Sequence, residues 1–130
     1  YTFLHDYEQV EFSTQPPYTY ARLQGLLAEY SLQGNLCESL LKLKIPKITI
    51  GCKDPSKLEA VVLVVGRQHP GEPVGSWMTE GLIREAVERN GSASKILWVV
   101  VPMLNVDGVV LGNNRTGLIG YDLNRLYNQE

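Results

Sequence analysis

Ala60-Val61-Val62-Leu63-Val64-Val65-Gly66 and Ile96-Leu97-Trp98-Val99-Val100-Val101-Pro102 are two uninterrupted apolar runs, each closed by a residue that punctuates regular structure. A run without polar alternation reads as a strand covered on both faces, the pattern of parallel sheets. Between the runs, over 76–90, Met78, Leu82, Ile83, Ala86 and Val87 fall on one helical face. Glu80 with Arg84, and Glu85 with Arg89, stand four apart in the favourable order, and Asn90-Gly91 supplies a C-terminal stop. Strand, loop, helix and strand in that order make a βαβ unit with parallel strands. The fold class implied is α/β, a mixed, largely parallel sheet with flanking helices, incomplete within this sequence.

Outward from this unit toward the N-terminus, Lys47 to Gly51 reads as a short strand and Asp54-Pro55-Ser56 as turn chemistry. Thr19 caps a predicted helix in which Tyr20, Leu23, Leu26, Leu27 and Tyr30 recur at helical spacing, with Gly25 as its weak point. Tyr7 to Thr14 reads as a half-buried strand, with Val10 and Phe12 alternating against Glu11 and Ser13. Pro16-Pro17 ends that strand and marks a boundary with an upstream domain. On the other side, 115–130 reads as irregular loop.

Composition narrows the function classes. The 130 residues carry a net charge of −2, with no block of lysine or arginine, so nucleic acid is not an expected partner. Nothing approaches the roughly 20 apolar residues needed to span a bilayer, and no secretory leader opens the sequence, so membrane insertion is not expected. Cys37 and Cys52 lack C-x-x-C spacing, which favours reduced thiols and a cytoplasmic setting. With Tyr1 at its start and an end five residues after Arg125, the sequence reads as a piece of a longer protein.

Chemistry concentrates where the two apolar runs end. Ligands bind at the carboxyl ends of strands in open α/β sheets, and Gly66-Arg67-Gln68-His69-Pro70-Gly71-Glu72 leaves the first run there. His69 and Glu72, three apart, can offer one metal ion an imidazole nitrogen and a carboxylate oxygen. Catalytic zinc usually takes three protein ligands and leaves a fourth position to water. The remaining histidine, His5, precedes the double proline and is not assigned as a ligand. The 103–125 segment leaves the second run at the same edge, bringing Arg115, Asn124 and Arg125 toward the same crevice. Taken singly, these are commonplace: a strand-end histidine is often just hydrogen-bonded, and a loop arginine is usually solvated. Their conjunction raises the odds of a site.

The segments G-R-Q-H-P-G-E-P-V-G-S-W-M (66–78), P-M-L-N-V-D-G-V (102–109), G-N-N-R (112–115) and G-Y-D-L-N-R (120–125) resemble the zinc metallocarboxypeptidases, specifically the cytosolic carboxypeptidase subfamily. P-Y-T-Y-x-x-L at 17–23 is similar to that subfamily's junction between a small β-rich domain and the catalytic domain. The resemblance implies that 1–16 ends an upstream β-rich domain and that 17–130 is the N-terminal portion of a carboxypeptidase-like catalytic domain. It implies His69 and Glu72 as ligands of Zn²⁺, Arg115 as the group that polarises the scissile carbonyl, and Asn124 and Arg125 as the grip on the substrate's α-carboxylate. It places the third zinc ligand and the catalytic glutamate downstream of D-L-N-R, where no residue of this sequence matches. Val106 departs from the proline the family usually has in N-P-D-G, which loosens that turn.

The activity implied is hydrolysis of C-terminal amino acids, glutamates among them, from peptides or from protein tails such as tubulin's. An aspartoacylase-like amidohydrolase acting on N-acyl amino acids shares H-x-x-E followed by D-L-N-R and is the alternative chemistry. A catalytically incomplete fragment is the alternative from another class, and the 130 residues alone are expected to be inactive. Iron held by two histidines and a carboxylate is a remote third option.

Overall fold

The computed structural model describes residues 10–89 and 95–127. The elements run in the order α1 (Tyr20–Glu29), β1 (Asn35–Glu38), β2 (Lys44–Pro46), β3 (Ile48–Gly51), β4 (Ala60–Val65), α2 (Pro73–Arg89), β5 (Ile96–Val101) and α3 (Val106–Val110). A single 3₁₀ turn, Leu123–Arg125, closes the series.

The two apolar runs form β4 and β5, which pair in parallel from Ala60 opposite Ile96 to Val65 opposite Val101. β3 pairs antiparallel on the other edge of β5, so the strand order is β3-β5-β4 and the sheet is mixed. β1 and β2 form a separate antiparallel hairpin that the sequence reading did not anticipate. Among the described residues β5 is the central strand, and Val100 and Val101 are buried with Ile48, Ile50, Ile83 and Met103. β4 departs from the expectation of burial on both faces. Val61, Leu63 and Val65 are 58%, 65% and 44% exposed, because β4 is an edge strand and no described element covers its outer face.

α1 begins where expected: the Thr19 side chain accepts a hydrogen bond from the Arg22 backbone N–H at 3.1 Å. α2 begins three residues earlier than expected, at Pro73, a residue suited to the first helical position. Its buried face is Ser76, Thr79, Glu80, Ile83 and Ala86, while Met78 of the predicted apolar face stands exposed. Ser76, Thr79 and Glu80 take inward positions and Met78 faces outward, because each polar group finds a partner: Ser76 meets Arg67, Thr79 donates to the Gly75 carbonyl, and Glu80 meets two arginines. Glu85 and Arg89 pair as expected, while Asn90 and Gly91 lie outside the described residues.

Val10 to Thr14 is not a strand. It runs as irregular chain with Phe12 81% exposed, while Tyr7 to Gln9 lie outside the described residues. Asp107-Gly108, expected as a turn, falls within α3, whose N-cap Asn105 accepts from the Gly108 backbone N–H at 3.0 Å. Val106, the departure from the family motif, is buried as the first residue of that helix.

A four-residue ionic ladder joins α1 to α2. The Arg22 guanidinium donates from Nε to Glu80 Oε2 at 3.1 Å and from Nη2 to Oε1 at 3.0 Å. Arg84 donates to Glu80 at 3.1 Å and to both oxygens of Glu29 at 2.8 and 3.1 Å. Burial alone would raise the Glu80 pKa, but hydrogen bonds from Arg22, Tyr18 and Arg84 outweigh it and hold the carboxyl below the usual glutamate value. A carboxyl depressed in the folded state stabilises above its unfolded pKa, about 4.3, and loses that contribution as pH falls through the folded value. Glu80→Gln is therefore expected to cost about 1–3 kcal/mol at pH 7. In urea unfolding, the gap between wild type and variant should shrink between pH 5 and pH 3. An unchanged gap would exclude Glu80 ionisation as the cause.

Candidate active site

The loop that follows β4 carries His69 to the mouth of a cavity between the end of β4 and α2, with Asp122 of the 112–125 segment against its far side. The imidazole is largely buried, and its two nitrogens face different carboxylates. Nδ1 lies 3.0 Å from Glu72 Oε1, and Nε2 lies 3.0 Å from Asp122 Oδ1. Glu72 is brought back to His69 because 69–72 closes as a turn, with the Glu72 backbone N–H donating to the His69 carbonyl at 3.2 Å. The Glu72 side chain is 65% exposed, so its carboxylate is open to the crevice.

Asp122 is the junction of the site. Its Oδ1 accepts from the Asn124 backbone N–H at 2.9 Å and faces His69, while its Oδ2 accepts from Arg115 Nε at 2.7 Å. The Arg115 guanidinium, above all, then the Asn124 N–H and His69, lower the Asp122 pKa to about 2, against partial burial. It is thus a carboxylate throughout the physiological range. A charged Oδ1 accepts a hydrogen bond from Nε2–H, and in that tautomer Nδ1 aims its lone pair at a Glu72 oxygen. Two acceptors cannot face each other at 3.0 Å unless a proton or a cation lies between them. One imidazole nitrogen and one carboxylate oxygen on a common side, with the other ring nitrogen anchored to a carboxylate, fit the donor chemistry of zinc. Among the described residues no cluster of three or more His, Cys, Asp or Glu is arranged to hold a metal ion.

The structure gathers the predicted residues unequally. His69 and Arg115 meet through Asp122, and Glu72 joins them through His69. Asn124 joins by its backbone N–H, its side chain lying exposed, and the Arg125 guanidinium lies near the Asn124 carbonyl at 3.4 Å. His5 is outside the described residues. Asp122 itself was given no role from sequence, although an aspartate two residues before a turn N–H is a recognisable Asx signal. Arg67 carries no local signal in the sequence. Its side chain is buried and holds the loop from within.

Two loops are pressed together beneath the site. The Gly71 backbone N–H donates to the Asn114 carbonyl at 2.6 Å, and a Cβ at Gly71 would stand 2.2 Å from Asn114 Oδ1 and 2.6 Å from Asn114 O. Side-chain rotation could relieve the first clash but not the second. Gly71→Ala is expected to push the 112–117 loop away and carry Arg115 with it. A displacement near 1 Å at a catalytic group lowers turnover by about 10²-fold, so any kcat/KM of the full-length protein should fall by that order in the Gly71→Ala variant. Activity within threefold of wild type would mean that the loop contact does not set Arg115.

The zinc carboxypeptidase family profile matches residues 32–130. The chain belongs to the zinc carboxypeptidase family. Among its curated relatives, cytosolic carboxypeptidase 2 of Danio rerio is 38% identical over 128 residues, and cytosolic carboxypeptidase 6 of Homo sapiens is 35% identical over 141. The alignments cover 85% and 96% of this zinc carboxypeptidase chain but only 18% and 28% of those relatives. Among solved structures, a metallo-carboxypeptidase from Burkholderia cenocepacia superposes with a TM-score of 0.74 at 27% identity, over 84% of this chain and 32% of that one. A Pseudomonas aeruginosa metallo-carboxypeptidase, solved with (2-guanidinoethylmercapto)succinic acid, gives 0.72 at 30% identity, over 85% of this chain and 32% of its own. The carboxypeptidase fold expected from the motifs is thereby shown. No described helix is long and apolar enough to cross a membrane.

Proposed function

We propose that this protein is a zinc-dependent carboxypeptidase that removes C-terminal amino acids, glutamate among them, from peptides or protein tails such as tubulin's. The observation that carries this reading is His69 Nδ1 lying 3.0 Å from Glu72 Oε1 while Asp122 faces Nε2 and binds Arg115. His69 and Glu72 hold the zinc, which when bound supplies a Lewis acid and a water of lowered pKa. Arg115, 45% exposed at the crevice and aligned by Asp122, presents its free guanidinium nitrogens to the scissile carbonyl oxygen as charge develops there. Asn124 and Arg125 bind the terminal α-carboxylate, for which a guanidinium fork is the fitting donor.

Residues 17–130 are the N-terminal portion of the catalytic domain in this reading, and 1–16 close a preceding β-rich domain. The third ligand and the general base come from outside the described residues. The names of the relatives support a cytoplasmic setting. The isolated 130 residues are expected to bind zinc weakly and to hydrolyse nothing.

The test uses the full-length protein with a peptide ending in glutamate, the same peptide as its C-terminal amide, and an N-acyl aspartate. The free acid is expected to be cleaved and the activity lost on chelation. Each charged hydrogen bond to the carboxylate is worth about 1.5–3 kcal/mol, so the amide should be cleaved at least about tenfold less efficiently. Cleavage of the N-acyl aspartate alone would overturn the proposal in favour of the amidohydrolase.

A further inference from the structure

Arg67 is a cation in a place that costs the fold something to maintain. It is 8% exposed, its backbone adopts a φ of +51°, and burial lowers its pKa from the ordinary arginine value. A non-glycine residue in the left-handed region persists only where its surroundings hold it there. Among the described residues, its hydrogen-bond partners are neutral. Nε donates to the Pro70 carbonyl at 2.8 Å, and Nη1 donates to the Tyr18 carbonyl at 3.1 Å and to Ser76 Oγ at 3.0 Å. These partners lie in three different places: the loop between His69 and Glu72, the chain just before α1, and the first turn of α2.

The 16–22 segment is itself clamped to α2. Trp77 Nε1 donates to the Pro16 carbonyl at 3.1 Å, Tyr18 packs edge-on against Trp77 with centroids 5.1 Å apart, and the Arg22 guanidinium lies 4.1 Å from the Trp77 ring centroid. Arg67 extends this clamp into the loop, because the Pro70 carbonyl is the one partner that lies between the two candidate ligands.

We infer that Arg67 is a positioning residue for the metal loop, fixing the spacing of His69 and Glu72 by tying the Pro70 carbonyl to the 16–19 segment and α2. It touches neither substrate nor metal. The inference rests on the reading of His69 and Glu72 as zinc ligands. A lysine in its place keeps the charge but presents one point of donation rather than a planar fork. It cannot serve Pro70 on one side and Tyr18 with Ser76 on the other.

The experiment compares Arg67→Lys, Arg67→Met and Ser76→Ala in the full-length protein, with zinc affinity read by chelator competition and folding by circular dichroism and thermal unfolding of the zinc-free protein. Loss of a group that orients a ligand typically weakens metal binding about 10- to 100-fold. Arg67→Met is expected to lose at least about tenfold in zinc affinity, Arg67→Lys nearly as much, and Ser76→Ala a few-fold. The loss in kcat should exceed the change in KM. If Arg67→Met does not fold, Arg67→Lys and Ser76→Ala carry the test. Folded variants with wild-type zinc affinity would overturn the inference. Parallel His69→Ala and Glu72→Ala variants separate the two claims: if they also retain zinc, the ligand reading has failed, whereas if they alone lose it, only the positioning role has.

Discussion

Glu72→Ala in the full-length protein is expected to abolish zinc retention, with metal content after dialysis falling to background and peptidase turnover falling with it. Three protein ligands are the usual set for catalytic zinc, and removing one leaves a two-ligand site that loses the metal to solvent. Glu72 suits the test because its carboxylate is 65% exposed and makes few contacts beyond His69, so its removal should barely change the apo fold. What the deletion removes from the zinc-free protein is a largely exposed contact to His69, so the zinc-free variant should lie within about 1 kcal/mol of zinc-free wild type. Elemental analysis and thermal unfolding with and without zinc read both effects. Wild-type metal content in the variant would remove Glu72 from the ligand set.

The legibility of this site in the sequence follows the range of the interactions that build it. β4, β5 and α2 announce themselves in consecutive apolar runs and helical spacing, because each is decided by residues within a few positions of one another. The same holds for Thr19 as a cap and for His69 with Glu72, three apart on one turn. The β1–β2 hairpin escaped because Asn35–Glu38 is exposed at every position, leaving no periodic signal. Met78 faces outward, against the apolar spacing, because the inward face of α2 is chosen in part by a partner far away in sequence: Arg22, 58 residues from Glu80. A local window cannot know that a buried glutamate or arginine will be satisfied. Asp122 belongs to this group too, since its partner His69 is 53 residues away.

Asp122→Asn is expected to damage the proposed ligand, oxyanion and carboxylate functions together, because one carboxylate contacts a residue of each. Wild-type Asp122 accepts from Arg115 on Oδ2 and faces both His69 Nε2 and the Asn124 N–H with Oδ1. An amide has one acceptor oxygen, so whichever way it turns, its NH₂ meets a donor: Arg115 in one orientation, His69 with Asn124 in the other. If the oxygen stays with Arg115, the imidazole is driven to the tautomer that places its proton on Nδ1, where a metal ligand needs a lone pair. If the oxygen stays with His69, Arg115 is released. Losing a ligand's carboxylate partner typically costs about 10- to 100-fold in metal affinity or activity, and losing an oxyanion donor about 10²- to 10³-fold in turnover. The variant should therefore fall by about 10²- to 10³-fold in kcat/KM and about tenfold or more in zinc affinity. A double-mutant cycle with Arg115→Met identifies which branch dominates. When Arg115 acts only through its alignment by Asp122, the double variant should be little worse than the poorer single variant, a coupling that independent sites do not show. Strict additivity of the two losses, with zinc affinity unchanged in Asp122→Asn, would show that Asp122 links neither His69 nor Arg115 to the chemistry.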